Sequence, residues 1–195
     1  MPGRMDKAGH DRSPFGAGSS RKRDKVRGFA ADRSGASALE FALVAVPFLL
    51  LIFAVLEVGL VYFANFTLEN AVSRGARLIR TGQAQTQQFS AGQFKAEVCK
   101  SLGPPLSCSD LKLDVRHFTN FSSADLTNPL DGGGNMKSDF KYEPGQGGDI
   151  VVVRAFYEWT LAAKLPREVS LSNMANGNRL LVATAAFRNE PFPKP

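Results

Sequence analysis

Residues 41–64 constrain this chain more than any other stretch. Phe41 to Leu56 carries no charged or strongly polar side chain, and after Glu57 the run resumes as VGLVYFA to Ala64. As a helix these 24 positions reach about 36 Å, against a bilayer hydrocarbon core of about 30 Å. A cleaved secretory signal has a shorter apolar core, roughly 7 to 15 residues, and ends in a small-x-small site. Here the run leads into NFTLENAVSRGARLIR, which continues as helix. A buried helix of a soluble protein is the other reading of such a run. The reading is a single-pass anchor in the lipid bilayer.

Charge orients it. Residues 1–39 hold nine Lys/Arg against four Asp, whereas residues 65–195 hold 15 basic and 12 acidic side chains within a net charge of +6. The basic excess therefore belongs to the N-terminal arm. A run such as RKRDKVR could suit nucleic acid, but directly before an apolar span it reports topology, because Lys and Arg stay on the cytoplasmic side. No nucleic-acid partner is expected, and residues 65–195 are expected across the membrane. The two cysteines, Cys99 and Cys108, suit that oxidising side. They flank Gly103-Pro104-Pro105 and would close a local loop worth about 2–3 kcal/mol. With His10 and His117 as the chain's two histidines, a metal site lacks ligands, so a disulfide is expected.

Residues 1–35 mix Gly, Ser, Pro and charge without periodicity and read as a disordered leader. Helix is expected from about Ala36 to Arg80, with Leu68, Ala71, Val72, Gly75, Leu78 and Ile79 on one face and Glu69, Asn70, Ser73, Arg74, Arg77 and Arg80 mainly on the other. The basic last turn suits the helix dipole and Gly82 suits a stop. A shorter helix, Ser90 to Leu102, opens with the capping box Ser90-x-x-Gln93. DLKLDVRHF alternates, Leu111, Leu113 and Val115 opposite Lys112, Asp114 and Arg116, and reads as a half-buried strand. Residues 119–148 read as loop. The stretch NPLDGGGNMKSD within it lacks EF-hand spacing and reads as mobile. Strands are expected from Ile150 (IVVVRAFYEWTL) and from Arg179 (RLLVATAAF). The fold class is α+β: a long N-terminal helix, then a small domain, 83–195, with an antiparallel sheet.

No phosphate-binding glycine loop, metal motif or nucleophile constellation is present, and no cofactor or catalytic residue is assigned. The stretch GASALEF is more telling. One reading of Glu40 is local, a capping box Ser37-x-x-Glu40. The other is a signal: Gly35, four residues, then Glu40-Phe41 and the apolar helix. This resembles the type IV prepilin signal of the tight-adherence (Tad/Flp) kind. GASALEFALVAVPFLLLIFAVLEVGLVYF with LENAVSRGARLIRTGQ behind it resembles the TadE-like minor pilins, in the Glu-Phe-Ala start, Pro47, Glu57 late in the span and the Ala-Arg element after it. The likeness covers residues 35–82, with a fainter echo in AAFRNEPF near the end.

The resemblance implies cleavage by a prepilin peptidase between Gly35 and Ala36, and a bacterial inner-membrane protein with a cytoplasmic leader and periplasmic head. It implies work with other pilins, pseudopilins and the pilus assembly machinery, and a role for Glu40, Pro47 and Glu57 in helix assembly. An uncompensated carboxylate toward the membrane interior costs a few kcal/mol, so Glu40 would seek the new α-amine of a neighbouring subunit, and pairing would set the axial register. The rival readings are a single-pass membrane regulator with a periplasmic sensor head, which would keep its leader, and an anchored periplasmic enzyme.

Overall fold

A computed structural model describes residues 35–123, 127–162 and 170–192; the basic leader falls outside them. Helix α1 runs Ala36–Arg80, with Pro47 inside it. The chain divides into two compact units at Leu51/Ile52. In the first, the large apolar side chains from Leu39 to Leu51 are all exposed. Monomeric soluble proteins rarely expose a continuous apolar surface of that kind, so the helix is fit to cross a membrane by length, composition and exposure.

The second unit packs the distal part of α1 on a sheet. A short helix α2 (Gln83–Thr86) and helix α3 (Ala91–Lys100) follow, then strands β1 (Lys112–Phe118), β2 (Ile150–Trp159) and β3 (Arg179–Arg188). The sheet is antiparallel in the order β1-β2-β3, with Val115 opposite Val153 and Val153 opposite Ala185. The buried stripe of α1 is Val61, Ala64, Leu68, Ala71, Val72, Gly75, Ala76 and Ile79, at the three- and four-residue spacing of one helix face. Ala76 joins the expected stripe, while Leu78 is only half-buried. The stripe shares a core with Phe94 and Val98 of α3 and with Val115, Val151, Val153, Ala155, Tyr157, Leu181 and Ala183 of the sheet.

Local signals set the breaks. Gly82 takes φ +76° after α1, a left-handed conformation that glycine adopts without strain. The Ser90 capping box forms in both directions, Ser90 Oγ accepting from Gln93 N–H and Gln93 Oε1 from Ser90 N–H. Cys99 and Cys108 are disulfide-bonded with Cα atoms 5.7 Å apart. Ser107 N–H donates to Tyr157 Oη at 3.1 Å, which ties the closed loop to β2. Cys99→Ser should lower stability by about 2–3 kcal/mol. Denaturant titration of the full chain in detergent tests this, and reductant should reproduce the loss in the wild type.

Two expectations are corrected. Ser37 is not an N-cap: α1 begins at Ala36, so Ser37 is already helical. Asp114 does not face solvent on a half-buried strand; it is 1% exposed. The reason is a second covered face: Phe156, Met174 and Leu180 pack with Leu130, Met136 and Phe140 of the connecting segment, on the side of the sheet opposite α1. The stretch 128–139 is a loop, as expected, whose Leu130 and Met136 are partly buried against that face while most of its other residues are exposed. Asp131 Oδ1 accepts from the Gly133 and Asn135 N–H groups at 2.8 Å, and Leu130 bridges to Met136.

Candidate functional site

The sequence-marked residues lie along α1. Among the described residues nothing stands within 4 Å of where a Gly35 side chain would begin, and Glu40 and Phe41 are exposed in the opening turns. Pro47 follows two turns later within the continuous helix; its ring removes one backbone donor, which a membrane helix tolerates.

Glu57 differs from Glu40. Its Oε1 accepts a hydrogen bond of 2.6 Å from the backbone N–H of Ala162, just past the end of β2. One oxygen of the late-span carboxylate is therefore engaged within the chain, by a partner 105 residues away in sequence. At the other end of the second unit, Glu190 N–H donates to Arg80 O at 2.9 Å, and the two side chains pair at 3.7 Å. The Phe192 ring lies over Gly82, where an added Cβ would meet it at 2.5 Å. AAFRNEPF therefore closes over the end of the long helix, so the two stretches that carry the resemblance meet there.

The Ala-Arg element has a packing role as well. Gly75 lies against α3: a Cβ on it would stand 2.5 Å from Val98 Cγ2 and 3.4 Å from Phe94 Cζ. Its neighbours Arg74 and Arg77 point outward. The small residues thus let two helices approach, and the arginines are the solvated side of the same turns.

Sequence reasoning missed a buried charge cluster. Asp114 Oδ2 accepts from Arg154 at 2.7 Å, both of its oxygens from Arg116 Nε at 3.0 Å, and Oδ1 from the Lys141 N–H at 2.9 Å. Arg154 also donates to Thr127 O and lies 5.5 Å from the centre of the Phe156 ring. Burial pushes the Asp114 carboxyl up, but bonds from Arg154, Lys141 and Arg116 together hold it below the ordinary 3.8. Tyr142, tilted against Phe94 with ring centres 5.4 Å apart, is pushed up to about 12 by burial. These groups fasten the sheet to its covering segment. Among the described residues, no three His, Cys, Asp or Glu converge as a metal set.

A glycine, a carboxylate five residues on and an exposed apolar helix whose distal half docks on a small α+β domain together define the pattern to be compared. The family model described as TadE-like protein matches residues 35–77. That segment is similar to the TadE-like family. The match ends just before Arg80, so it takes in Gly35, Glu40, Pro47, Glu57 and the Gly75 seam of this chain. The TadE-like family is pilus-associated, and structural rather than enzymatic. No curated protein and no solved structure matches the chain.

Proposed function

We propose that this protein is a minor pilin, or pseudopilin, that takes part in assembling a Tad/Flp-type adhesive pilus. The observation that carries the reading is the TadE-like match over residues 35–77, starting at the glycine of the Gly35…Glu40-Phe41 motif. A prepilin peptidase would cut after Gly35, leaving Ala36 as the mature N-terminus in the plane of the inner membrane, with residues 65–195 in the periplasm. Glu40 of one subunit would then neutralise the α-amine of another. A charge left unpaired in the bilayer is costly, so only the correct axial offset satisfies both. Pro47 would shape the span, and Glu57, with Oε1 committed to Ala162, would use its second oxygen toward a neighbouring helix. Other pilins and the assembly machinery are the partners, and the work is binding.

The deciding experiment is mass spectrometry of the N-terminus in cells that make the whole pilus system. A chain beginning at Ala36 is the expected result, and an intact leader would bring the membrane-regulator reading forward. Gly35→Ala should leave the precursor uncut, seen as a band about 35 residues heavier; a mature-sized product would sink the proposed signal. Glu40→Ala should insert normally yet abolish most piliation by electron microscopy. Wild-type pilus numbers would remove Glu40 from assembly.

A further inference from the structure

A cavity of about 340 Å³ opens where α1 meets the first residues of β3. Val58, Val61, Tyr62 and Asn65 line it from the helix; Leu171 and Arg179 to Val182 line it from the other side. Its size is at the small end for a small-molecule site, and its walls mix apolar side chains with the polar groups of Tyr62, Asn65 and Arg179.

Its height along the helix can be read from the chain. Some 20 helical residues cross the hydrocarbon core, so a span entered at Phe41 leaves it near Leu60. Val58 and Tyr62 stand on either side of that exit. The sheet is aligned with the helix: Ala162, just beyond β2, is bonded to Glu57, while Glu190, just beyond β3, is bonded to Arg80. The 23 positions from Glu57 to Arg80 rise about 35 Å, close to the roughly 33 Å of a ten-residue strand. The end of the sheet where Trp159 pairs with Arg179 is therefore the end beside Glu57.

We infer that this cavity holds the glycerol region and upper acyl chain of a bilayer phospholipid, with the Arg179 guanidinium against its phosphate. The inference rests on the membrane-anchor part of the proposed function. Continuity supports the occupant: Val55, Val58 and Tyr62, three and four residues apart on the helix face that carries the cavity, are all exposed and lead into it. Charge supports it too. Arg179 donates from one nitrogen to Leu171 O at 2.7 Å, and a guanidinium has further donors in a fork matched to phosphate. An exposed tyrosine at the exit, 71% accessible, is the side chain expected at headgroup level. Bound there, the lipid would seat the base of the head on the membrane.

The test uses the full chain in phosphatidylethanolamine/phosphatidylglycerol vesicles doped with a phosphatidylcholine carrying a diazirine in its acyl chain. After irradiation, peptide mapping should find adducts at Leu171 or at Leu180 to Val182 as well as along α1. Arg179→Gln should reduce the β3 adducts about tenfold, the scale of one charge-assisted bond, with the α1 adducts unchanged. Val182→Phe, which fills the rim and leaves the Arg179–Leu171 bond in place, should do the same. Adducts confined to α1, or β3 adducts indifferent to both variants, would overturn the lipid site. So would loss of the β3 adducts on adding the other pilin-like proteins, which would assign the cavity to a neighbouring helix. Failure of the chain to float with the vesicles would instead overturn the anchor reading itself.

Discussion

Asp114→Ala is expected to destabilise the second unit by about 3–5 kcal/mol, the scale for breaking a buried ion pair by removing one partner. Asp114 is almost fully enclosed, and Arg154 is 9% exposed. Without the carboxylate, Arg154 keeps, among the described residues, the Thr127 carbonyl and the Phe156 ring, and the Lys141 N–H loses its acceptor. Asp114→Asn removes the charge but retains an acceptor oxygen, and should fall between alanine and wild type. Denaturant unfolding of the detergent-solubilised chain, followed through Trp159, the single tryptophan, reads both. A loss below about 1 kcal/mol for alanine, the range of an exposed pair, would mean that water reaches the cluster.

The same cluster fixes a pH dependence. The Asp114 carboxyl titrates below 3.8 in the folded chain, so between that value and the folded one the unfolded chain binds more protons. A depressed acid of this kind contributes fully above about pH 5, and its contribution fades as pH falls through 3.8 toward the folded value. Stability measured from pH 6 downward should therefore drop in the wild type, and more shallowly in Asp114→Asn. Parallel profiles would remove Asp114 as the source.

How much of this was legible beforehand depended on range. Helix α1 was readable to both ends, because apolar length, three-and-four spacing and a terminal glycine are all local. The strands at Ile150 and Arg179 were readable for the same reason, and the cysteine pair sits only nine positions apart. Asp114 was not. Alternation in LKLDVRH reports which side chains share a face but not whether the other face is also covered, and its cover comes from residues 130–140 and Met174. A hint was present in β2, where IVVVRAF runs continuously instead of alternating, as strands covered on both sides do. An arginine inside such a run calls for a buried carboxylate, and β1 supplies one opposite: Asp114 is in register with Arg154. The Glu57 bond to Ala162 and the closure of Phe192 over Gly82 carried no such trace, since each joins distant segments through backbone groups or ring packing. The family likeness in turn marked Gly35 to Arg77 but was silent on the fold of the head.

Gly75→Leu should destabilise the chain by about 3 kcal/mol or more, near the upper end for overpacking a core. At this position even a single methyl would stand 2.5 Å from Val98 Cγ2, well inside van der Waals contact. Val98 and Phe94 are fully buried, so neither can swing into solvent. Gly75→Ala tests the sign of two opposing effects. Alanine gains up to about 1 kcal/mol of helix propensity over glycine, while the clash costs about 1–3 kcal/mol, so a net loss is expected. Val98→Ala in the Gly75→Ala background opens the space that the new methyl needs, and its own cavity penalty should shrink when the two are combined. A coupling energy of about 0.5 kcal/mol or more in that double-mutant cycle is the expected result for residues in contact. Strict additivity would mean that α1 and α3 are not pressed together at this seam, and that the glycine of the Ala-Arg element serves something other than helix approach.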